Sequence, residues 1–214
     1  MIFAVNFMNN SIIISIYFYI ESPRRAFSLC EIANAWEQRK VGDLTIVLSA
    51  SRVPKEEWTS SGVPYYRTSD VVSAYKGTEI ERVYISENIF EQLSKISGKL
   101  EKGDILLTGG GSIGIPYSVP DNKPLYTRDS DLLWVKHSPL FDSQFLYVYF
   151  TTPSFRSYLS TISHIGAIAH YTIEQVKATP VFIPDFNEQR RLGLLFTTIT
   201  DLITLHQREH DSST

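Results

Sequence analysis

Gly103-Asp104-Ile105-Leu106-Leu107-Thr108-Gly109-Gly110-Gly111-Ser112-Ile113-Gly114 is the stretch on which the reading of this chain turns. Ile105 to Leu107 reads as a short buried strand, and it runs into a glycine loop with the spacing Gly109-x-Gly111-x-x-Gly114. Taken alone, that spacing suggests a dinucleotide site, where glycines let the backbone approach a pyrophosphate held at a helix N-terminus. Such a site needs a helix beginning within the motif. Pro116, Pro120 and Pro124 follow instead, and they forbid a regular helix there. Asp131 stands about twenty residues on, where a ribose-binding acid would be sought, but it lies in a proline-broken hairpin region. No Walker lysine follows the glycines either. The stretch therefore reads as a strand end and tight turn at the centre of a domain, with a dinucleotide-binding oxidoreductase as a remote alternative.

Working outward, the 214 residues and 43% hydrophobic content can bury a core as one domain, or as one domain with an appendage. Abundant Tyr and Phe, 12 of each, argue against disorder. One cysteine, Cys30, cannot form an internal disulfide, which predicts a reducing, cytoplasmic setting. A lone Cys and five scattered His show no ligand spacing, so neither a metal nor a cofactor is expected. A net charge of −3 argues against indiscriminate coating of nucleic acid and leaves sequence-specific binding open. From Arg39 to Lys76 the local balance is positive.

Residues 1–26 stand apart as an atypical leader. The apolar run Ile12–Ile20 is too short to span a bilayer, and no Lys or Arg precedes it as a secretory signal would require. It predicts a strand. Ser28 with Glu31 has the form of a capping box and predicts a short helix to Ala35 or Trp36. Leu44–Leu48 and Val63–Arg67 read as strands, and Ser86-Glu87-Asn88 as a helix start. Leu125–Thr127 and Asp131–Lys136 read as the strands of a hairpin-rich sheet. Helical spacing marks Phe145–Leu159, broken at Pro153. Residues 163–172 form a small-residue loop, a short helix covers Ile173–Lys177, and Thr179–Pro184 is a proline-bracketed edge strand.

The best helix comes last. Asp185-x-x-Glu188 caps it, and Leu192, Leu195, Ile199 and Leu202 form a three-four seam with Phe196 and Ile203 beside it. From Phe186 to Arg208 it would span roughly 35 Å at the α-helical rise. The seam predicts pairing with a partner helix.

Hydrolase chemistry finds no support, because no Gly-x-Ser-x-Gly elbow is present. Pro184-Asp185 with Glu188 resembles a fragment of a metal-nuclease site, but those acids serve better as a helix cap. No adenine-methyltransferase motif is present. Recognition remains. Arg52, Lys55, Arg67 and Lys76 are the candidate phosphate or guanine contacts, with Tyr65, Tyr66, Ser69, Ser112, His170 and Tyr171 as further candidates. On this assignment Arg67→Ala weakens specific binding by about 1–3 kcal/mol.

Several segments together resemble the specificity subunit of type I restriction–modification systems. Ala35-Trp36-Glu37-Gln38-Arg39-Lys40-Val41-Gly42-Asp43-Leu44 resembles the opening of a target-recognition domain in that family, and Gly103–Leu106 running into Gly111–Gly114 resembles its central motif. Ile183-Pro184, then Glu188-Gln189-Arg190-Arg191-Leu192, then Asp201 to Glu209, resemble its proline-ended strand and long helix. The likeness runs from about residue 27 to 209 and rests on the order and spacing of the motifs together.

The resemblance implies a mixed α/β (α+β) fold: a globular target-recognition domain over 27–184, then a long amphipathic coiled-coil helix and tail over 185–214. It implies a non-catalytic reader of double-stranded DNA that directs a methyltransferase (M) subunit and a restriction (R) subunit to a bipartite site. One recognition domain and one helix where the usual subunit has two of each implies a half-subunit forming a homodimer through the helix, with no membrane partner. The rival from another class is a non-DNA-binding interaction module, or a truncated decoy, that recruits or titrates methyltransferase subunits.

Overall fold

The computed structural model describes residues 36–79, 81–127, 131–163 and 170–211. The strand expected over Ile12–Ile20 and the helix expected after Ser28 lie outside the described residues, as does most of the 163–172 loop.

Strand β6 (Ile105–Thr108) is the centre of the molecule, and all four of its side chains are fully buried. It lies in a four-stranded antiparallel sheet of order β2-β9-β6-β7, with β2 at Val47–Ser49, β7 at Pro116–Ser118 and β9 at Leu132–Val135. Strand alternation sends Ile105, Leu107, Leu133 and Val135 to one face, where they join the main core cluster. Leu106 and Trp134 point the other way, onto Leu100, Val119 and Leu125. Covering on both faces explains an unbroken apolar run where a half-exposed strand would alternate.

The main core is closed by helices. These are α1 (Val41–Leu44), α4 (Ser143–Tyr149), α5 (Pro153–Ser163) and α6 (Ile173–Ala178), which bring Val41, Phe145, Leu146, Phe155, Leu159 and Val176 onto the sheet. Proline opens α5, where its missing N–H costs nothing, and the Phe155 N–H donates to Thr152 Oγ1. Asp142 caps α4 by accepting from the Phe145 N–H at 2.9 Å.

A second four-stranded sheet, of order β3-β5-β4-β8, comprises β3 (Trp58–Thr59), β5 (Val83–Ile85), β4 (Val63–Tyr66) and β8 (Tyr126–Thr127). It packs with α3 (Glu87–Ser97) around Val63, Tyr65, Ile85, Phe90 and Tyr126. Helix α2 (Thr68–Lys76) leaves β4 and lies against β6 and β7 of the first sheet. A two-stranded antiparallel sheet pairs β1 (Glu37–Lys40) with β10 (Pro180–Ile183). The proline-bracketed strand is thus confined to a small sheet.

Two expectations need correction. The strand foreseen over Leu44–Leu48 begins only at Val47, because Asp43 accepts the Lys40 N–H at 3.1 Å and closes Val41–Leu44 into a helical turn. Strands β8 and β9 do not form a hairpin together: β8 runs parallel to β4, while β9 joins the other sheet. Tyr126 makes that choice. Its ring stacks on Tyr65 at 6.4 Å, and its hydroxyl reaches the Ser51 backbone.

Helix α7 (Phe186–Asp211) is about 39 Å long at 1.5 Å per residue. Asp185 Oδ1 accepts the Asn187 and Glu188 N–H groups, so Asp185 serves as the cap expected of it. The first turns dock on α4. Gln189 is buried, accepting the Asp142 N–H and donating to the Pro184 carbonyl. A Cβ at Gly193 would stand 3.0 Å from the Phe145 nitrogen, so a side chain there would hold the two helices apart. Leu192, expected on the seam toward a partner, is instead buried in this domain's own core. Leu195 and Ile199 are half-buried, and Leu202 is 60% exposed. No helix among the described residues is long and apolar enough to cross a membrane.

Candidate nucleic-acid interface

The glycine loop leaves β6 at Thr108, whose hydroxyl donates to the Ser112 carbonyl and accepts the Ile115 N–H. No helix follows, and Pro116 opens β7 instead. Gly111 and Gly114 take positive φ, at 66° and 70°. A Cβ at Gly114 would lie 2.3 Å from Leu159 Cδ1, so that glycine seats the loop on α5. A Cβ at Gly111 would meet nothing within 4 Å, and Gly111 and Ser112 are exposed. The loop is thus anchored at Gly114 and open at Gly111.

Two other segments are tied to the loop by backbone bonds. The Asp131 carbonyl accepts the Gly109 N–H at 2.8 Å and also the Thr68 hydroxyl at 3.3 Å, at the start of α2. The Tyr171 N–H donates to the Gly109 carbonyl at 2.8 Å. This joins three of the expected residues to one region: Ser69 in the first turn of α2, Ser112 in the loop, and exposed His170 beside Gly110.

A second group forms around Trp58. The Lys55 Nζ and the Arg67 Cζ lie 5.9 and 5.8 Å from its ring centroid. Arg52 is exposed in the preceding loop. Lys76 is exposed at the far end of α2, roughly 12 Å from Thr68 at the α-helical rise.

Three of the expected contact residues have other work. Tyr65 is 1% exposed, packed between Trp58 and Tyr126. Tyr171 is equally buried, and its hydroxyl is bonded to Thr179. Burial drives the Tyr171 pKa far up, which keeps the phenol neutral. Both are core residues, which corrects their expected place on a DNA-facing surface. Arg67 is engaged as well: its Nε and Nη2 donate to the Asp70 carboxylate at 2.8 and 3.2 Å, and Nη2 donates to the Glu81 carbonyl at 2.9 Å. The hydrogen bond to Asp70 raises the Arg67 pKa, and the carboxylate's negative charge offsets the guanidinium's locally. Arg67 therefore braces the start of α2 rather than presenting a bare cation. Tyr66 is half-buried against Tyr117, with ring centroids 5.1 Å apart.

Asp104, Arg156 and Tyr75 were not among the expected site residues. Asp104 is fully buried and accepts from Trp134 Nε1, the Glu101 N–H and the His137 N–H at 2.7, 2.9 and 2.7 Å. A charged residue at the head of an apolar strand was the available signal. Arg156 and Tyr75 sit on different helices and share no motif, so only the tertiary structure brings them together. Among the described residues no group of three or more His, Cys, Asp or Glu could hold a metal ion.

The comparisons with known proteins agree with this architecture. A family model described as the type I restriction modification DNA specificity domain matches residues 34–212. A putative type I restriction enzyme specificity subunit from Haemophilus influenzae is 27% identical over 182 residues, 81% of this chain and 44% of that protein. Among solved structures, the HsdS subunit from Thermoanaerobacter tengcongensis superposes with a TM-score of 0.58 at 15% identity, covering 93% of this chain and 45% of its own. A chain from a study of complex assembly and conformational transition of the type I R-M system gives 0.62 at 13% identity, covering 95% and 46%. The type I restriction-modification system S subunit from M. genitalium gives 0.56 at 13% identity, covering 85% and 43%. At such identities the structural likeness concerns the fold, and the chain spans less than half the length of each of these relatives. With the family model matched over most of its length, the chain belongs to the type I restriction modification DNA specificity domain family.

Proposed function

We propose that the domain before α7 reads duplex DNA in a sequence-specific way and carries out no chemistry itself. The observation that carries this reading is the family match over residues 34–212. The open side of the glycine loop supports it, with Ser69, Ser112 and His170 gathered beside it and Arg52, Lys55 and Lys76 exposed on neighbouring elements. Exposed Lys and Arg supply phosphate attraction, while short polar side chains and open backbone are suited to base edges. Partner methyltransferase and restriction subunits then supply methylation and cleavage, and one cysteine fits a cytoplasmic setting.

Helix α7 is the coupling element in this reading. Its docked start sets its direction relative to the domain. Beyond the docked turns it carries Leu195, Ile199, Leu202 and Leu205 toward a second helix of the same kind. Two recognition domains held by such a pair address two halves of an interrupted site, two-fold symmetric if the two domains are copies.

Methylome sequencing of the host with and without the gene tests the proposal. The expected result is loss of methylation at one interrupted motif. An unchanged methylome, together with co-purification of a methyltransferase subunit and no retention of any duplex from a randomised pool, would instead favour the pure interaction module.

A further inference from the structure

Arg156 is a half-buried cation with an unusual set of partners. It projects from α5, and its Nη1 donates to the Ile113 carbonyl in the glycine loop at 3.1 Å. It also faces the Tyr75 hydroxyl of α2, which favours its charge, and its guanidinium stands 5.6 Å from the Phe155 ring centroid. All three partners are neutral. Among the described residues no carboxylate forms an ion pair with it, whereas Arg67 has Asp70 and Arg39 has Glu37. Burial accordingly pulls the Arg156 pKa down.

Partial removal from water raises the cost of a charge, and a counter-ion is the usual remedy. The surroundings say where such an ion would come from. Tyr75 is 46% exposed, and the loop beside the guanidinium presents exposed Gly111 and Ser112 with open space over Gly111. The Ile113 carbonyl engages one of the five guanidinium donors and leaves the others for an anion. Another backbone can come close there, since no side chain stands over Gly111.

We propose that Arg156, held by the Ile113 carbonyl beside Tyr75, binds one phosphate of the duplex DNA backbone and seats it against Gly111–Ser112. The assignment rests on the DNA-recognition reading above. It makes the glycine loop a backbone-positioning element, with Arg156 fixing how deeply the loop approaches the groove.

The test uses the full chain and a duplex pool of randomised sequence, with affinity measured across a series of salt concentrations. Neutralising one phosphate contact with Arg156→Gln makes the negative slope of log affinity against log salt shallower by about one and weakens all sequences alike. Arg156→Lys keeps the slope, and Lys99→Gln, paired with Glu91 and lying over the Phe90 ring, serves as a control that keeps it too. Equal slopes for the wild type and Arg156→Gln, both folded by their melting curves, overturn the assignment and leave the DNA reading intact. No salt-dependent binding by the wild type overturns both. If Arg156→Gln fails to fold, Ser112→Asp carries the test: a carboxylate on the exposed seat that weakens binding of all sequences supports the assignment, and wild-type affinity overturns it.

Discussion

Asp104→Asn is the most informative single perturbation of the fold, because it changes one atom of a fully buried carboxylate. Asp104 Oδ2 accepts from Trp134 Nε1 at 2.7 Å and from the Glu101 N–H at 2.9 Å. Its Oδ1 accepts from the His137 N–H at 2.7 Å and lies 3.0 Å from His137 Nδ1. One carboxylate therefore ties the turn before β6 to the end of β9 and the segment beyond it. An asparagine offers a single acceptor oxygen. If that oxygen faces His137, its NH2 opposes the Trp134 and Glu101 donors. If the amide flips, the NH2 opposes His137. Each charge-assisted bond lost costs about 1.5–3 kcal/mol, and each buried donor left unmade costs about 1–3 kcal/mol more. These contributions overlap, so the total is about 3–5 kcal/mol, the usual range for breaking a buried charged network. For a chain of this length that lowers the melting temperature by roughly 6–20 °C.

Urea and thermal denaturation of the wild type, Asp104→Asn, Trp134→Phe and the double variant measure this. The expected coupling between the two sites is about 1–3 kcal/mol, as for residues in one network. A loss below about 1 kcal/mol in Asp104→Asn, or strict additivity in the double variant, would refute the reasoning. The functional consequence follows from β6, since the same strand that Asp104 anchors at one end carries the glycine loop at the other.

Gly114→Ala should cost about 2–4 kcal/mol, because the new methyl would lie 2.3 Å from Leu159 Cδ1 at a φ of 70° that alanine resists; a wild-type urea midpoint would contradict the packing. Gly193→Ala should destabilise by about 1–2 kcal/mol despite alanine's better helix propensity, since the methyl would stand 2.8 Å from Asp142 Oδ1 and 3.0 Å from the Phe145 nitrogen. A gain in melting temperature there would mean that α7 does not dock on α4 as described. Asp70→Ala should cost about 2–3 kcal/mol by stripping the Arg67 guanidinium of its partner, and Arg67→Ala should lower stability as well as any DNA affinity; denaturation midpoints alongside binding curves separate the two effects.

Much of the architecture was legible in the residues. Capping groups, proline positions and apolar periodicity are local signals, so Ser86, Pro153, Asp185 and the strand at Ile105 fell where the structure has them. Local signals cannot report pairing. Whether Tyr126 joins Tyr65 or leads a hairpin into β9 depends on a stacking contact between residues about sixty positions apart in the chain. The candidate site was legible in the same partial way. Exposed Lys and Arg could be counted, but the Asp70 carboxylate that engages Arg67 and the packing that buries Tyr65 and Tyr171 could not.

The sequence by itself determined the elements, the glycine loop that opens no helix, and the ordered set of motifs that marks the family. The reason is that turn chemistry, proline stereochemistry and side-chain periodicity act within a few residues. Only the tertiary structure decided which polar groups are available. It buries Asp104 among donors it must serve, pairs Arg67 with an acid, and leaves Arg156 beside the glycine loop with neutral partners. Burial and electrostatic pairing depend on distances between chain segments, and those exist only once the segments have packed.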